Sequence, residues 1–142
     1  MSIDYSKYII KEYKFWSLQV NEDQSYLGRC VIWCKRENAD DLAEITPGEQ
    51  EELFKIIKNI KMVLHVAFEP DLINYTFLGN KTPHVHCHVI PRYKTPRELM
   101  GITFTDEKWG SNPYKGEYKS LIFSEVSEEV KQKLREIFQQ IK

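Results

Sequence analysis

Seven consecutive residues, His84-Val85-His86-Cys87-His88-Val89-Ile90, alternate imidazole with apolar side chains and close on two apolar residues. No other stretch restricts the fold as much. A repeat of two is the repeat of a β-strand, whose successive side chains point to opposite faces. His84, His86 and His88 are therefore expected on one face, with Val85, Cys87 and Val89 turned into a core. Such a strand needs a sheet around it and a covering layer on its apolar side.

The flanking sequence supplies both. Tyr13 to Val20 is aromatic and partly alternating and ends in the polar turn Asn21-Glu22-Asp23-Gln24-Ser25; Cys30-Val31-Ile32-Trp33-Cys34 follows Gly28 and stops at the charged stretch Lys35 to Asp41. These predict an antiparallel hairpin. Thr46-Pro47-Gly48-Glu49 has the form of a capping box with Pro at the first helical position. Leu53, Ile56, Ile57, Ile60, Val63, Leu64 and Ala67 then recur at helical spacing and stop before Pro70, which predicts the longest helix. Leu72 to Leu78 reads as a third strand, Gly79 to Pro83 as a turn, and His84 to Ile90 as a fourth strand stopped by Pro91. From Arg92 to Tyr118, prolines and glycines among scattered aromatics predict an ordered but irregular excursion. Val130, Leu134, Ile137, Phe138 and Ile141 predict a C-terminal helix. The fold class is α+β: an antiparallel sheet, a long helix after the first hairpin and a helix at the C-terminus. At 142 residues the chain is expected to be one domain, 1–142, with its core at 13–93, an irregular extension at 94–123 and the C-terminal helix at 124–142.

Charge narrows the function. Twenty Lys+Arg stand against 21 Asp+Glu, so the chain lacks the basic surplus on which general nucleic-acid or anionic-membrane binding rests. Met1 to Ile10 has no continuous apolar stretch of the signal-peptide kind and no segment approaches a membrane span, so the cytoplasm is the expected location. Cys30, Cys34 and Cys87 form an odd set without a C-x-x-C pair, which argues against a disulfide framework or a zinc knuckle; Cys30 and Cys34 read as small core residues.

Two chemistries use a row of imidazoles: metal ligation, or attack of one imidazole on phosphorus while its neighbours donate to the phosphate oxygens. At about 3.3 Å per residue, His84 and His88 lie roughly 13 Å apart along a strand, too far for both to reach one zinc ion. A metal-binding protein using His86 and His88 would need a third ligand from elsewhere, and His65 stands alone on its helix. The row suits a phosphate chain better. His86, flanked on both sides, is the natural nucleophile, since a neutral imidazole nitrogen is available near neutral pH. Attack would give a phosphohistidine that water opens, with His84 and His88 stabilising the non-bridging oxygens. Lys94, Arg97 and Lys108 could hold a polyphosphate tail, although charges scattered in a loop are usually solvated. Trp109-Gly110-Ser111-Asn112-Pro113-Tyr114 could cover the site, pack on a partner subunit or anchor the core.

The histidine segment resembles the motif of the histidine triad (HIT) family of nucleotide hydrolases and transferases, His-φ-His-φ-His-φ-φ with φ apolar and Cys87 in an apolar slot. The similarity runs through Leu72 to Asn80 and Pro91-Arg92, and the element order matches over about 13–93. The resemblance implies a HIT-like fold, a homodimer with a shared sheet, a purine nucleoside monophosphate (AMP-like) site and no cofactor. It implies cleavage at the α-phosphate of a dinucleoside polyphosphate or nucleoside phosphoramidate through a nucleotidyl-His86 intermediate, by hydrolysis or nucleotidyl transfer, with His84 and His88 around the phosphate. Asn74 matches a position that contacts phosphate or leaving group, with Asn80 and Thr82 in the turn beside it. Asn21 matches a ribose contact, and Leu18 and Val31 are candidates to sandwich the base. Many members carry a further histidine just after the glycine of the second strand, where this chain has Arg29. That departure admits a nucleotide-binding or sensing module with little catalysis. Arg29 itself is either a fixed positive fork for a phosphate or a solvated charge at a strand end.

Overall fold

The computed structural model describes residues 5–117, 120 and 124–141. The readings for residues 1–4, for 118, 119 and 121–123 in the extension, and for 142 lie outside the described residues. The strands β1 (Ile9–Glu12), β2 (Trp16–Val20) and β3 (Cys30–Cys34) precede helix α1 (Pro47–Phe68); β4 (Leu72–Thr76), β5 (His86–Arg92), β6 (Arg97–Leu99), β7 (Ile102–Phe104) and helix α2 (Ser124–Gln140) follow. Five strands form one antiparallel sheet in the order β1-β2-β3-β5-β4, and β6 and β7 form a separate hairpin. This is the expected α+β architecture.

One face of the sheet makes the core. Trp16, Leu18, Cys30, Ile32, Cys34, Cys87 and Val89 are fully buried, together with Ile56, Ile60, Val63 and Leu64 of α1 and Val130 and Leu134 of α2. Each large apolar side chain so buried contributes about 1.5–3 kcal/mol. The capping box forms as the sequence predicts: Thr46 Oγ1 accepts from Glu49 N at 3.1 Å, and Glu49 Oε1 accepts from Thr46 N at 2.8 Å. Glu69, in the left-handed conformation at φ 49°, ends α1 ahead of Pro70.

Four boundaries differ from the sequence reading. The β5 strand starts at His86, not His84, because the Val85 N–H goes to Ala39 O at 2.6 Å and the His84 N–H folds back to Thr82 O. It runs through Pro91 to Arg92. Arg92 O accepts from Asp71 N on the β4 side, so by alternation Pro91 faces the β3 side, where the ladder has already ended at Cys30 and Val89. The β2 strand starts at Trp16 and β4 stops at Thr76, both shorter than expected. The sequence pattern gave no sign of β1, an edge strand of which only Ile10 is buried. Within the stretch expected to be irregular, β6 and β7 pair through Met100 and Gly101, both at positive φ, a turn that suits right-twisted strands but is rare for Met.

Candidate active site

On the face opposite the helices, the β3–β5 register sets Trp33 beside His86 and Val31 beside His88, while β4 sets Thr76 beside His88. A cleft of about 440 Å³ opens over this face. His86 and His88 form its floor with Val31 and Trp33, their neighbours on the sheet; Gln19, Val20, Asn21, Glu22, Thr82, Tyr5 and Tyr8 complete the lining. Aromatic and apolar surface is thus combined with a small number of polar groups, the arrangement expected of a small-molecule site.

His86 is tied to its own strand. Its Nδ1–H donates to the His84 carbonyl at 2.6 Å, which in the neutral ring puts the lone pair on Nε2. Trp33 stacks on the ring at 5.4 Å between centroids and His88 meets it edge-on at 5.0 Å, so its orientation is fixed from two sides.

The His84 ring lies outside this cleft and lines a neighbouring hollow that His86 also borders. With β5 starting two residues later, the His84 ring stacks on Trp33 at 4.4 Å and its Nε2–H donates to Cys34 O at 2.6 Å. The backbone carbonyl of His84 is the acceptor for His86 Nδ1–H.

His88 lines the cleft next to a buried cation. Arg29 is 6% exposed and directs Nη2 at His88 Nδ1 from 3.4 Å. Burial first, then the Arg29 charge and His86, push the His88 imidazole down to about 4, so it is neutral at neutral pH. Of the two readings of Arg29, the solvated strand end does not fit so buried a side chain. The turn before it is closely tied: Asn21 Oδ1 caps Asp23 N, Asp23 Oδ1 caps Ser25 N, and fully buried Gln24 joins Asn21 O, Arg29 O and Gly28 N. Gly28 sits at φ 91°, where a Cβ would lie 3.0 Å from Leu64 and 3.1 Å from Phe68, so this turn packs directly on α1.

The remaining expected residues divide. Asn21, Thr82 and Val31 border the cleft. Leu18 does not: it faces the helices, fully buried, so it cannot sandwich a base at this cleft. Asn74 accepts from Arg92 Nη1 at 2.8 Å, outside the cleft lining, and Asn80 lies exposed in the turn, also outside it. Partly exposed Arg97 holds the end of α1 through Phe68 O and Glu69 O, outside the cleft lining. Exposed Lys94 lies over the Trp109 ring, and Lys108 contributes its carbonyl to Arg92. His65 is exposed on α1 and the three cysteines are buried and unpaired in disulfides.

Sequence reasoning missed Trp33, Tyr5, Tyr8 and Arg92. Trp33 was within reach, since it shares the alternate face of β3 with Val31. Arg92 is 2% exposed; it forms a double bond pair with Asp106 at 2.7 and 3.0 Å and also binds Ser111 O and Lys108 O. It anchors the segment that carries Tyr114 to within 3.4 Å of Arg29 Nη2 and Thr76 Oγ1. Of the roles considered for residues 109–114, Tyr114 is thus beside the histidine floor while Trp109 stays exposed.

Among the described residues no group of three or more His, Cys, Asp or Glu side chains is placed to hold a metal ion, so His86 and His88 have no third ligand there. No helix among them is long and apolar enough to cross a membrane.

Comparison with known proteins gives a consistent result. The HIT domain family model matches residues 9–95. A bis(5'-adenosyl)-triphosphatase of Saccharomyces cerevisiae is 28% identical over 102 residues, 65% of this chain and 50% of the relative. An asymmetrical bis(5'-nucleosyl)-tetraphosphatase of Schizosaccharomyces pombe is 27% identical over 70 residues, 46% of this chain and 38% of the relative. The chain spans about half the length, or less, of these curated relatives. A histidine triad protein from Marinobacter aquaeolei VT8 superposes with a TM-score of 0.75 at 20% identity, covering 94% of this chain and 90% of that one, which establishes a shared fold.

Proposed function

The chain belongs to the HIT family, and on that premise we propose that it is a nucleotide hydrolase acting at the α-phosphate of an adenylylated substrate, a dinucleoside polyphosphate or a nucleoside phosphoramidate, with nucleotidyl transfer as the same half-reaction to another acceptor. The observation that carries the reading is the His86 Nδ1–H bond to the His84 carbonyl, because in the neutral ring it puts the lone pair on Nε2 of a side chain that lines the cleft.

The reaction has two displacements. His86 Nε2 forms a bond to the α-phosphorus as the bond to the leaving group breaks, and that bonding pair departs with the leaving group, which takes up a proton. Water then attacks phosphorus and gives a proton to solvent, balancing the one the leaving group took from it; the P–Nε2 bond breaks, the nucleoside monophosphate is released and the lone pair returns to His86. The Nε2–H of His88 donates to a non-bridging oxygen, where negative charge accumulates. The nucleoside lies along Val31 and Trp33, with Asn21 near the ribose, Thr82 beside the phosphate, and Tyr8 and Tyr5 toward the base. His84 supports His86 from behind. Asn74, engaged with Arg92, acts on the leaving-group side by holding the segment that carries Tyr114, and Asn80 shapes the turn that carries Thr82. The relatives' own names, bis(5'-adenosyl)-triphosphatase and bis(5'-nucleosyl)-tetraphosphatase, favour a dinucleoside polyphosphate as the first substrate to test.

A second reading is a nucleotide sensor with little turnover, favoured by Arg29 at the position of the supporting histidine. Single-turnover assays separate them: rapid release of monophosphate from a dinucleoside polyphosphate supports the hydrolase, and tight monophosphate binding without release of product from any adenylylated compound supports the sensor. As its resemblance implies, the chain is proposed to work as a homodimer, with the open edge strand β4 beside exposed Leu72 as the continuation point of a shared sheet.

A further inference from the structure

We propose that Arg29 is a positioning residue: by donating from Nη2 to His88 Nδ1 it fixes His88 as the Nε2–H tautomer, a neutral donor presented to the cleft. A guanidinium carries five N–H groups and no acceptor, so a ring nitrogen that meets it must offer a lone pair. In a neutral imidazole the proton then sits on the other nitrogen.

The surroundings are built to hold this contact. Arg29 Nη1 faces Asp23 Oδ2 at 3.6 Å, the guanidinium lies 5.9 Å from the centre of the Tyr114 ring, and the Arg29 carbonyl receives Asn21 N and Gln24 Nε2. Gly28, packed on Leu64 and Phe68, sets where the residue begins. Arg29 is thus part of the wall under His88 rather than a fork reaching for phosphate.

The charged and titratable groups around His88 come from each neighbouring element. The β5 strand contributes His86, and the residue before β3 contributes Arg29. The turn after β2 contributes Asp23, paired with Arg29, and Glu22 on the cleft wall; the segment after β7 contributes the Tyr114 phenol, while β4 presents uncharged Thr76. A guanidinium at 3.4 Å opposes a second positive charge on the ring, and burial acts in the same direction.

The two cleft histidines then have opposite polarity. His86 is protonated on Nδ1 and offers a lone pair at Nε2; His88 offers a lone pair on Nδ1 and a proton at Nε2. With both rings neutral, one is set to attack and the other to donate, without a proton being shared between them. The nucleotide reading is needed only for the identity of what His88 donates to.

The test uses the full chain, labelled with ¹⁵N and free of nucleotide, following the imidazole nitrogens by two-bond ¹⁵N–¹H correlation from about pH 4 to about pH 8, which spans the ordinary histidine range. Wild-type His88 is expected as the Nε2–H tautomer across nearly all of that range. In Arg29→Met, His88 is expected to exchange between tautomers and to protonate at least about one pH unit higher. An Arg29→Met spectrum with unchanged tautomer and midpoint overturns the proposal. So does wild-type His88 found at neutral pH as Nδ1–H or imidazolium, a result that stands even if the variant does not fold. On a dinucleoside polyphosphate, kcat/KM of Arg29→Met should fall about 10-fold or more, with its acid limb moved upward. If the wild type hydrolyses no tested nucleotide but the tautomer shift occurs, the hydrolase reading fails and the role of Arg29 stands.

Discussion

At the scale of the residue, the division of labour between His86 and His88 follows from which ring nitrogen is occupied. His86→Ala is expected to lower kcat by at least about 10³-fold while leaving monophosphate affinity within a few-fold, because it removes the proposed nucleophile but leaves the aromatic cleft. Fluorescence titration and single-turnover kinetics measure the two separately. His88 makes a prediction about stability as well. Its imidazole is held at about 4, below the ordinary histidine value, so on acidification the unfolded chain binds a proton that the folded chain refuses. Stability from this group is full above about 6.5, the unfolded value, and is lost as pH falls from there toward about 4. Urea midpoints across that window should drop less in His88→Asn than in the wild type. Alternation alone made His86 and His88 legible as a shared face. The ring of His84 was not legible in the same way, because its departure depends on Ala39, a residue far away in sequence whose carbonyl takes the Val85 N–H.

At the scale of the element, signals confined to a few neighbours were readable and signals made by distant packing were not. The capping box of α1 lies within four residues, and it forms as the sequence implies. Thr46→Ala should cost about 1 kcal/mol in chemical denaturation. Glu49 has a second partner, Arg36, at 3.0 Å, and that hydrogen bond above all holds its carboxyl down to about 2. The stability it contributes is present above the ordinary carboxylate value of 4.5 and is lost as pH falls toward about 2. Hairpin β6–β7 was hidden because Met100 occupies a positive-φ turn position that usually takes Asn or Gly. Gly28 joins turn, helix and site: Gly28→Ala puts a methyl group against Leu64 and Phe68 at positive φ, and is expected to cost about 1–3 kcal/mol while moving Arg29 off His88. The same imidazole spectra would report that displacement.

At the scale of the whole molecule, a near-neutral chain of 20 basic and 21 acidic residues sets two histidines and a buried arginine at one sheet face. The core face and the ligand face of the sheet follow from one register, and a single-residue phase decides that Val31 borders the cleft while Leu18 is sealed under the helices. The proposed homodimer predicts sedimentation at twice the chain mass at micromolar concentration; a monomer at that concentration would contradict the shared sheet. The central claim, covalent catalysis by His86, is tested most directly by acid-quenched intact-protein mass spectrometry of the wild type mixed with a dinucleoside polyphosphate on the millisecond scale. One nucleoside monophosphoryl group per chain is expected, located on His86 by peptide mapping, appearing before monophosphate is released and missing in His86→Ala. Monophosphate released at full rate with no protein adduct, or by His86→Ala at the wild-type rate, would contradict it.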